Sequence, residues 1–472
     1  MRAPGIVLAV AAGLSAALPA YSFDAADPLS VRTLAAPTPR GALEPKAPCS
    51  FDDAAKAALS VADVVDRALC NNPQTRIAWA NARVQAAQVG VARSAWLPTL
   101  GASVSASRNR QDGGTRIGGV PISGTTLYDQ ESAGLSAGYL LYDFGARDAT
   151  LENALQTLAA ANFTHDAAVQ KVFLAAVQAY YQFFATRAAV DSAKEAERSS
   201  LESLKSATAR YAAGAATPAD KYQAQTANSQ AVLNRIQAEG SEKGAEGALA
   251  NVIGLDANRP VSLVSPTTAV PDRAFDSNLD ELIGAARKQR PDLAAAEAQV
   301  KAAQASVAAA KAAGLPTISL SASFNYSDTS LSDPFHTQAA GISVNIPIFT
   351  GFNTTYRVQA AQAQVESQMA QRDSVSLQVA LDVWQAYYTL TTNTQAVRSS
   401  ADLVASASQS ERVASGRYRA GAGTILDLLT AQSALASARL QNIQTIFNWY
   451  IARATLAQAM GQLDFTALDE KP

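Results

Sequence analysis

The 472-residue sequence predicts a mixed α/β membrane protein, with four transmembrane β-strands per chain and long coiled-coil α-helices outside the bilayer. Three observations carry the prediction. The chain opens with an export signal, it contains a tandem duplication, and each repeat holds an alternating strand pair followed by an unbroken helical run.

Arg2 supplies the positive charge of the signal, Gly5 to Leu18 its apolar stretch, and Ala20-Tyr21-Ser22 a small-x-small cleavage site. Residues 1–22 are expected to be removed, leaving a mature chain that starts near Phe23. The apolar stretch is shorter than the ~20 residues of a spanning helix. Neither cysteine directly follows the signal, so no lipid anchor is expected. The net charge of −2 and the lack of a basic block give no footing for nucleic acid. An oxidising periplasm permits a disulfide between Cys49 and Cys70, but so sparse a pair leaves both outcomes open.

The duplication shows in fixed offsets. Asn72-Pro73 recurs as Arg290-Pro291, and Leu97-Pro98-Thr99 as Leu315-Pro316-Thr317, both 218 residues on. Beyond the next loop the offset is 207. There Gln178-Ala179-Tyr180-Tyr181 matches Gln385-Ala386-Tyr387-Tyr388, and Arg210-Tyr211 matches Arg417-Tyr418. Thr217, Asp220, Gln225 and Gly254 match Thr424, Asp427, Gln432 and Gly461. The first repeat thus carries eleven extra residues between Pro98 and Gly134, which marks an exposed loop. The expected organisation is a signal (1–22), an N-terminal periplasmic segment (23–58) and repeat one (59–254, strand hairpin 99–142). An inter-repeat segment (255–276), repeat two (277–461, hairpin 317–349) and a tail (462–472) follow.

Four segments alternate with period 2. Leu100, Ala102, Val104 and Ala106 oppose Gly101, Ser103, Ser105 and Ser107, and the repeat mate sets Ile318, Leu320, Ala322 and Phe324 against Ser319, Ser321, Ser323 and Asn325. Leu135, Ala137, Tyr139 and Leu141 alternate likewise, as do Ile342, Val344, Ile346 and Ile348. Apolar outside, small and polar inside, this is the pattern of a membrane barrel strand. The turn-rich stretches Asn109–Gln130 and Ser327–Gln338 are expected as extracellular loops. After each hairpin comes a proline-free helical run, roughly 145–213 and 352–420, which at 1.5 Å per residue extends ~100 Å. Return helices reach Gly254 and Gly461, and shorter helices are expected over 74–96 and 292–314. The irregular pieces should gather midway as a belt.

Four strands cannot close a bacterial barrel, which starts at eight, and open edges cannot persist in lipid. Two copies would give eight strands and three would give twelve; strand number alone leaves both open.

The combination resembles the TolC family of outer-membrane export channels. Its specific marks are the repeat, Ala92-Arg93-Ser94-Ala95-Trp96-Leu97-Pro98, Leu141-Tyr142-Asp143, and Arg417-Tyr418-Arg419-Ala420-Gly421 leading into Thr424-Ile425-Leu426-Asp427. The resemblance implies a homotrimer with one twelve-stranded barrel continued by a helical periplasmic tunnel. It also implies a periplasmic adaptor and an inner-membrane transporter, ABC type for the branch that serves type I protein secretion. Multidrug efflux is the alternative. The family closes its tunnel tip with polar contacts among Tyr, Arg and Asp. Matching places these at Tyr418, Asp427 and Asp220, on turns marked by Gly214, Thr217, Gly421 and Thr424. The family's Arg falls on Gly423, for which Arg419 is the candidate substitute, and a second tip carboxylate falls on Thr430. Asp220 and Asp427 also sit where helix N-caps belong.

Other classes explain less. An enzyme lacks its chemistry: the histidines are His165 and His336, with no metal spacing or phosphate-cradling loop, so no cofactor is expected. A periplasmic coiled-coil adaptor leaves the strands unexplained, and a passive porin leaves the long helices idle. Without an ATP motif, energy for transport must come from a separate machine.

Overall fold

The computed structural model describes residues 26–35, 58–117, 120–259, 261–266 and 278–465. The export signal, Cys49 and most of the segments expected to form the belt lie outside the described residues. Cys70 is disulfide-bonded.

Two similar series of elements follow one another. The first is α1 (Val61–Asn71), α2 (Pro73–Ser94), β1 (Thr99–Ile117), β2 (Val120–Tyr142), α3 (Ala146–Ala212) and α4 (Pro218–Val252). The second is α5 (Leu279–Gln289), α6 (Pro291–Ala312), β3 (Thr317–Thr329), β4 (Ser332–Asn345), α7 (Asn353–Arg419) and α8 (Ile425–Ala459). Proline opens α2, α4 and α6 at their first turn, where its missing N–H costs nothing. The short helices α1 and α5 are absent from the sequence-based expectation. Their signals were local: a Ser60–Asp63 capping box ahead of Val64, Val65, Ala68 and Leu69, and Asn278 accepting from the Asp280 N–H.

The strands form one antiparallel sheet in the order β1-β2-β3-β4. Register follows chemistry, since a slip of one residue would invert every side chain. Across β1 and β2, Leu100 faces Ala137 and Ala102 faces Leu135. Across β2 and β3, Leu135 faces Phe324 and Tyr139 faces Leu320; across β3 and β4, Leu320 faces Ile342 and Ile318 faces Val344. The opposite face pairs Ser105 with Ser132, Ser136 with Ser323 and Asn325 with Thr337. Over Leu100–Val104, Ala133–Tyr139, Ile318–Ala322 and Ala340–Val344, one face is therefore apolar and the other small and polar. The apolar face is bare in the single chain: Leu100, Val104 and Ile342 are 83%, 82% and 68% exposed.

Two expectations need correcting. Asn109–Gln130 and Ser327–Gln338 are not loops but mostly ladder. Pairing continues from Thr99–Gly138 up to Ile117–Val120 in the first hairpin and up to Thr329–Ser332 in the second. Gly113, Gly114 and Pro121 suggested turns, yet the backbone pairs through them, so the inserted residues lengthen a ribbon. The fourth strand stops at Asn345 rather than reaching Ile348, two residues short of Pro347, which has no N–H to give a ladder.

Both long helices have 67 residues, hence ~100 Å. Nearer the sheet, packing runs α2-α3-α6-α7; toward the far end it runs α4-α3-α8-α7. Thus α2 and α4 stack along one side of the chain beneath β1, and α7 runs down the other beneath β4. The largest core lies halfway along α3, where Val169, Phe173, Val177 and Phe184 meet Val64 and Val65 of α1, Ile253, Phe447 and Tyr450. Leu59 bridges Leu263 beside it, so the described part of the inter-repeat segment does sit at mid-height. The joints between stacked helices match in the two halves. Asn72 donates to Val252 O (3.0 Å) and Arg290 to Ala459 O (3.4 Å). Gly254 and Gly461, at φ +79° and +74°, press against Asn71 and Gln289, so any side chain there would collide with backbone.

The sheet is fixed to α3 by one buried arginine. Arg147 binds Asp143 (Nε–Oδ2 3.1 Å) and donates to the carbonyls of Leu140 (2.8 Å), Leu141 (3.3 Å) and Ala95 (3.4 Å). Its guanidinium carbon lies 4.2 Å from the Trp96 ring centre. Both charged side chains are under a tenth exposed, 8% and 6%. Removing one partner of such a pair strands the other charge, at a cost of about 3–5 kcal/mol. Arg147→Met should therefore lower the melting temperature of the helical circular dichroism signal in detergent. Adding Asp143→Asn should recover part of the loss; recovery of none would show that the pair is not the anchor.

Candidate functional site at the helix turns

The far ends of the long helices turn on glycine. Gly214 (φ +71°) and Gly421 (φ +76°) take the left-handed conformation that ends α3 and α7. The next N–H then bonds back, Ala215 to Arg210 O (2.8 Å) and Ala422 to Arg417 O (2.9 Å). The returning helices start with capping boxes. Thr217 accepts from the Asp220 N–H while Asp220 Oδ2 accepts from the Thr217 N–H (2.8 Å); Thr424 and Asp427 repeat the arrangement (3.2 Å). Hydrogen bonds from the Thr424 side chain and N–H, with the nearby Arg417 charge, hold the Asp427 carboxyl below the usual carboxylate range. Asp427 is thus an exposed, ionised group at the tip.

Between the turns lies a small apolar cluster of Ala207, Ala224, Tyr418, Ile425 and Leu428. Tyr418 is only 5% exposed, and its hydroxyl has no hydrogen-bond partner among the described residues. It does not bond Asp220, which is engaged with its own cap. Its partner is Arg210 of α3, whose Nη1 donates to Tyr418 O (2.6 Å) and whose guanidinium carbon lies 4.8 Å from the ring centre. Arg210 crosses from one helix hairpin to the other, a bridging role for which Arg419 was the candidate once matching had placed the family's Arg on Gly423. Arg419 itself is exposed at the end of α7, with no ion pair or hydrogen bond from its side chain among the described residues. At Gly423, a Cβ would stand 3.1 Å from Arg417 Cβ and 3.3 Å from Tyr418 N, so this tight turn resists the side chain that the family pattern would put there.

The structure thus brings Gly214, Thr217 and Asp220 together on one turn, and Tyr418, Gly421, Thr424 and Asp427 on the other. The residue joining them, Arg210, was missed. The signal was in view, since Arg210-Tyr211 and Arg417-Tyr418 are repeat mates, but sequence does not say which arginine crosses. Higher up, polar contacts extend the joint between hairpins: the Gln432 amide of α8 donates to Ser199 Oγ (2.8 Å) and Ser203 Oγ (3.0 Å) of α3.

This architecture has known counterparts. The fold is shared with solved channels of low sequence identity. These include the outer membrane protein VceC of Vibrio cholerae (TM-score 0.72, 21% identity, 85% of this chain and 96% of that one). The Campylobacter jejuni CmeC outer membrane channel is another (TM-score 0.76, 19% identity, 87% of each). In sequence, the chain is 30% identical to Protein CyaE of Bordetella pertussis over 419 residues, covering 88% of this chain and 86% of that protein. It is 28% identical to the pyoverdine export outer membrane protein OpmQ of Pseudomonas aeruginosa over 410 residues, covering 84% of each. The family model described as outer membrane efflux protein matches residues 64–255 and 282–462. With most of its length matched in this way, the chain belongs to the outer membrane efflux protein family, whose channels sit in the outer membrane and extend into the periplasm.

Proposed function

We propose that three copies of this chain close one twelve-stranded barrel and one periplasmic tunnel, and that the assembly passes a secreted protein outward in a type I export system. The observation that carries the channel reading is the sheet with an apolar and a polar face, both edges open, continued directly into two ~100 Å helices. Side chains along the chain's two sides support closure by copies. Ile77, Val84 and Val91 of α2 are exposed at 59%, 55% and 64%, and Leu377, Leu381, Trp384 and Tyr388 of α7 form a second bare stripe. Stripes on opposite sides suit head-to-tail contacts that close into a ring. An adaptor and an inner-membrane transporter supply the energy, since this chain offers no nucleotide-binding motif.

Similarity to CyaE supports protein secretion. Small-molecule efflux is the second reading, favoured by relatives named for pyoverdine export and for toluene efflux. Deleting the gene and comparing secreted proteins with drug susceptibility separates the two. The secretion reading expects one or a few proteins to vanish from the medium with susceptibility unchanged. Hypersensitivity with an intact secretome would overturn it in favour of efflux.

We place the gate at the helix turns, with Tyr418 as the buried plug between hairpins, and Asp220, Arg419 and Asp427 around the opening. Three copies of Asp427 would set a ring of negative potential there. Asp427→Ala should weaken block by multivalent cations in planar bilayers. In the unmodified channel, block should persist as pH falls into the ordinary carboxylate range, because this carboxyl titrates below it. Unchanged block in the variant would leave Asp427 its capping role alone.

A further inference from the structure

The seam between hairpins inside one chain has an unused duplicate. Serines Ser199 and Ser203 of α3 hold Gln432 of α8, and Arg210 of α3 holds Tyr418. Moving each residue by the 207-residue offset gives Ser406 and Ser410 of α7, Gln225 of α4, Arg417 of α7 and Tyr211 of α3. Every chemical type in the first set recurs in the second. Yet within one chain the second set does not meet. Helix α4 lies on one outer side of the far end and α7 on the other. Gln225, Ser406 and Ser410 are exposed and make no side-chain hydrogen bond among the described residues. Tyr211 is 41% exposed, against 5% for Tyr418, and among the described residues the Arg417 side chain hydrogen-bonds only its own turn, at Ala422 O (3.3 Å).

We infer that this duplicate set forms the seam between neighbouring copies: Gln225 of one chain bonds Ser406 and Ser410 of the next, whose Arg417 stacks on Tyr211 of the first. The inference rests on the ring assembly proposed above. In such a ring the in-chain contact of α3 with α8 is repeated, by the same offset, as a contact of α7 with the neighbour's α4. The two seams then alternate six times around the tunnel's lower end. Charge fits as well. Leu204 and Leu428, which share the in-chain apolar cluster, correspond to Glu411 and Lys221, a pair of opposite sign. The in-chain seam thus has leucines beside its hydrogen bonds where its copy between chains would have an opposite-charge pair. The contact between chains should therefore weaken with rising salt.

The test is chemical cross-linking of the full-length protein purified from membranes, with Cys49 and Cys70 replaced by serine. Gln225→Cys combined with Ser406→Cys is treated with a short dithiol-reactive linker, and Gln432→Cys combined with Ser199→Cys serves as the in-chain control. The inference expects the first pair to shift the denatured protein from single-chain mass to two- and three-chain species, with neither single variant doing so. The control pair should react while staying at single-chain mass. A reacting control with no multi-chain species from the first pair would overturn the inference. The mass of the uncross-linked protein, taken in parallel, isolates the other failure: a lone chain would sink the ring assembly itself. Reaction of the first pair at high salt should fall severalfold, and no fall would remove Glu411 and Lys221 from this seam.

Discussion

Every peptide group placed in hydrocarbon must find a hydrogen-bond partner inside the protein, since an unpaired one costs several kcal/mol. This chain places four strands there and leaves β1 and β4 each paired on one side only. The rest of the molecule is arranged around those two edges. Beneath β1 run α2 and α4, beneath β4 runs α7, and both flanks carry exposed apolar side chains that a soluble protein would bury. The ring assembly proposed above would pair both edges and cover both flanks.

The duplication explains how so few residues specify so long a channel. One series of elements, used twice, supplies two hairpins, two long helices and two mid-height joints whose contacts correspond residue for residue, Asn71 with Gly254 and Gln289 with Gly461. Where the halves diverge, function is the natural reason. Arg210 reaches across and Arg417 does not; Tyr418 is buried and Tyr211 is not. Arg147, with Asp143 and Trp96, locks sheet to helix in the first half. The Trp96-Leu97-Pro98 and Leu141-Tyr142-Asp143 motifs are therefore two ends of one contact, although some fifty residues separate them in sequence.

Periodicity made most of the fold legible, because period 2 and period 3.6 leave different traces and proline brackets the short helices. Glycine misled where it was taken as a turn: Gly113 and Gly114 pair within the ladder, opposite Gly124 and Ser123. The short helices α1 and α5 escaped because eleven residues show barely three turns. At the helix turns, sequence found the right segments but not the bonds. Capping boxes are local and readable, and Asp220 and Asp427 sit in them. A cross-hairpin contact such as Arg210 with Tyr418 depends on tertiary packing, and two equivalent Arg-Tyr pairs stood in the sequence with nothing local to separate them.

If the open edges are satisfied by neighbouring copies, their amides must be as shielded as those inside the sheet. Hydrogen exchange of the protein in its membrane assembly, followed by mass spectrometry of strand peptides, measures this directly. The account predicts that β1 and β4 exchange as slowly as β2 and β3 over the register from Thr99 to Ser107 and from Phe335 to Asn345. Fast exchange along β1 and β4 in the assembled protein, with β2 and β3 protected, would contradict it.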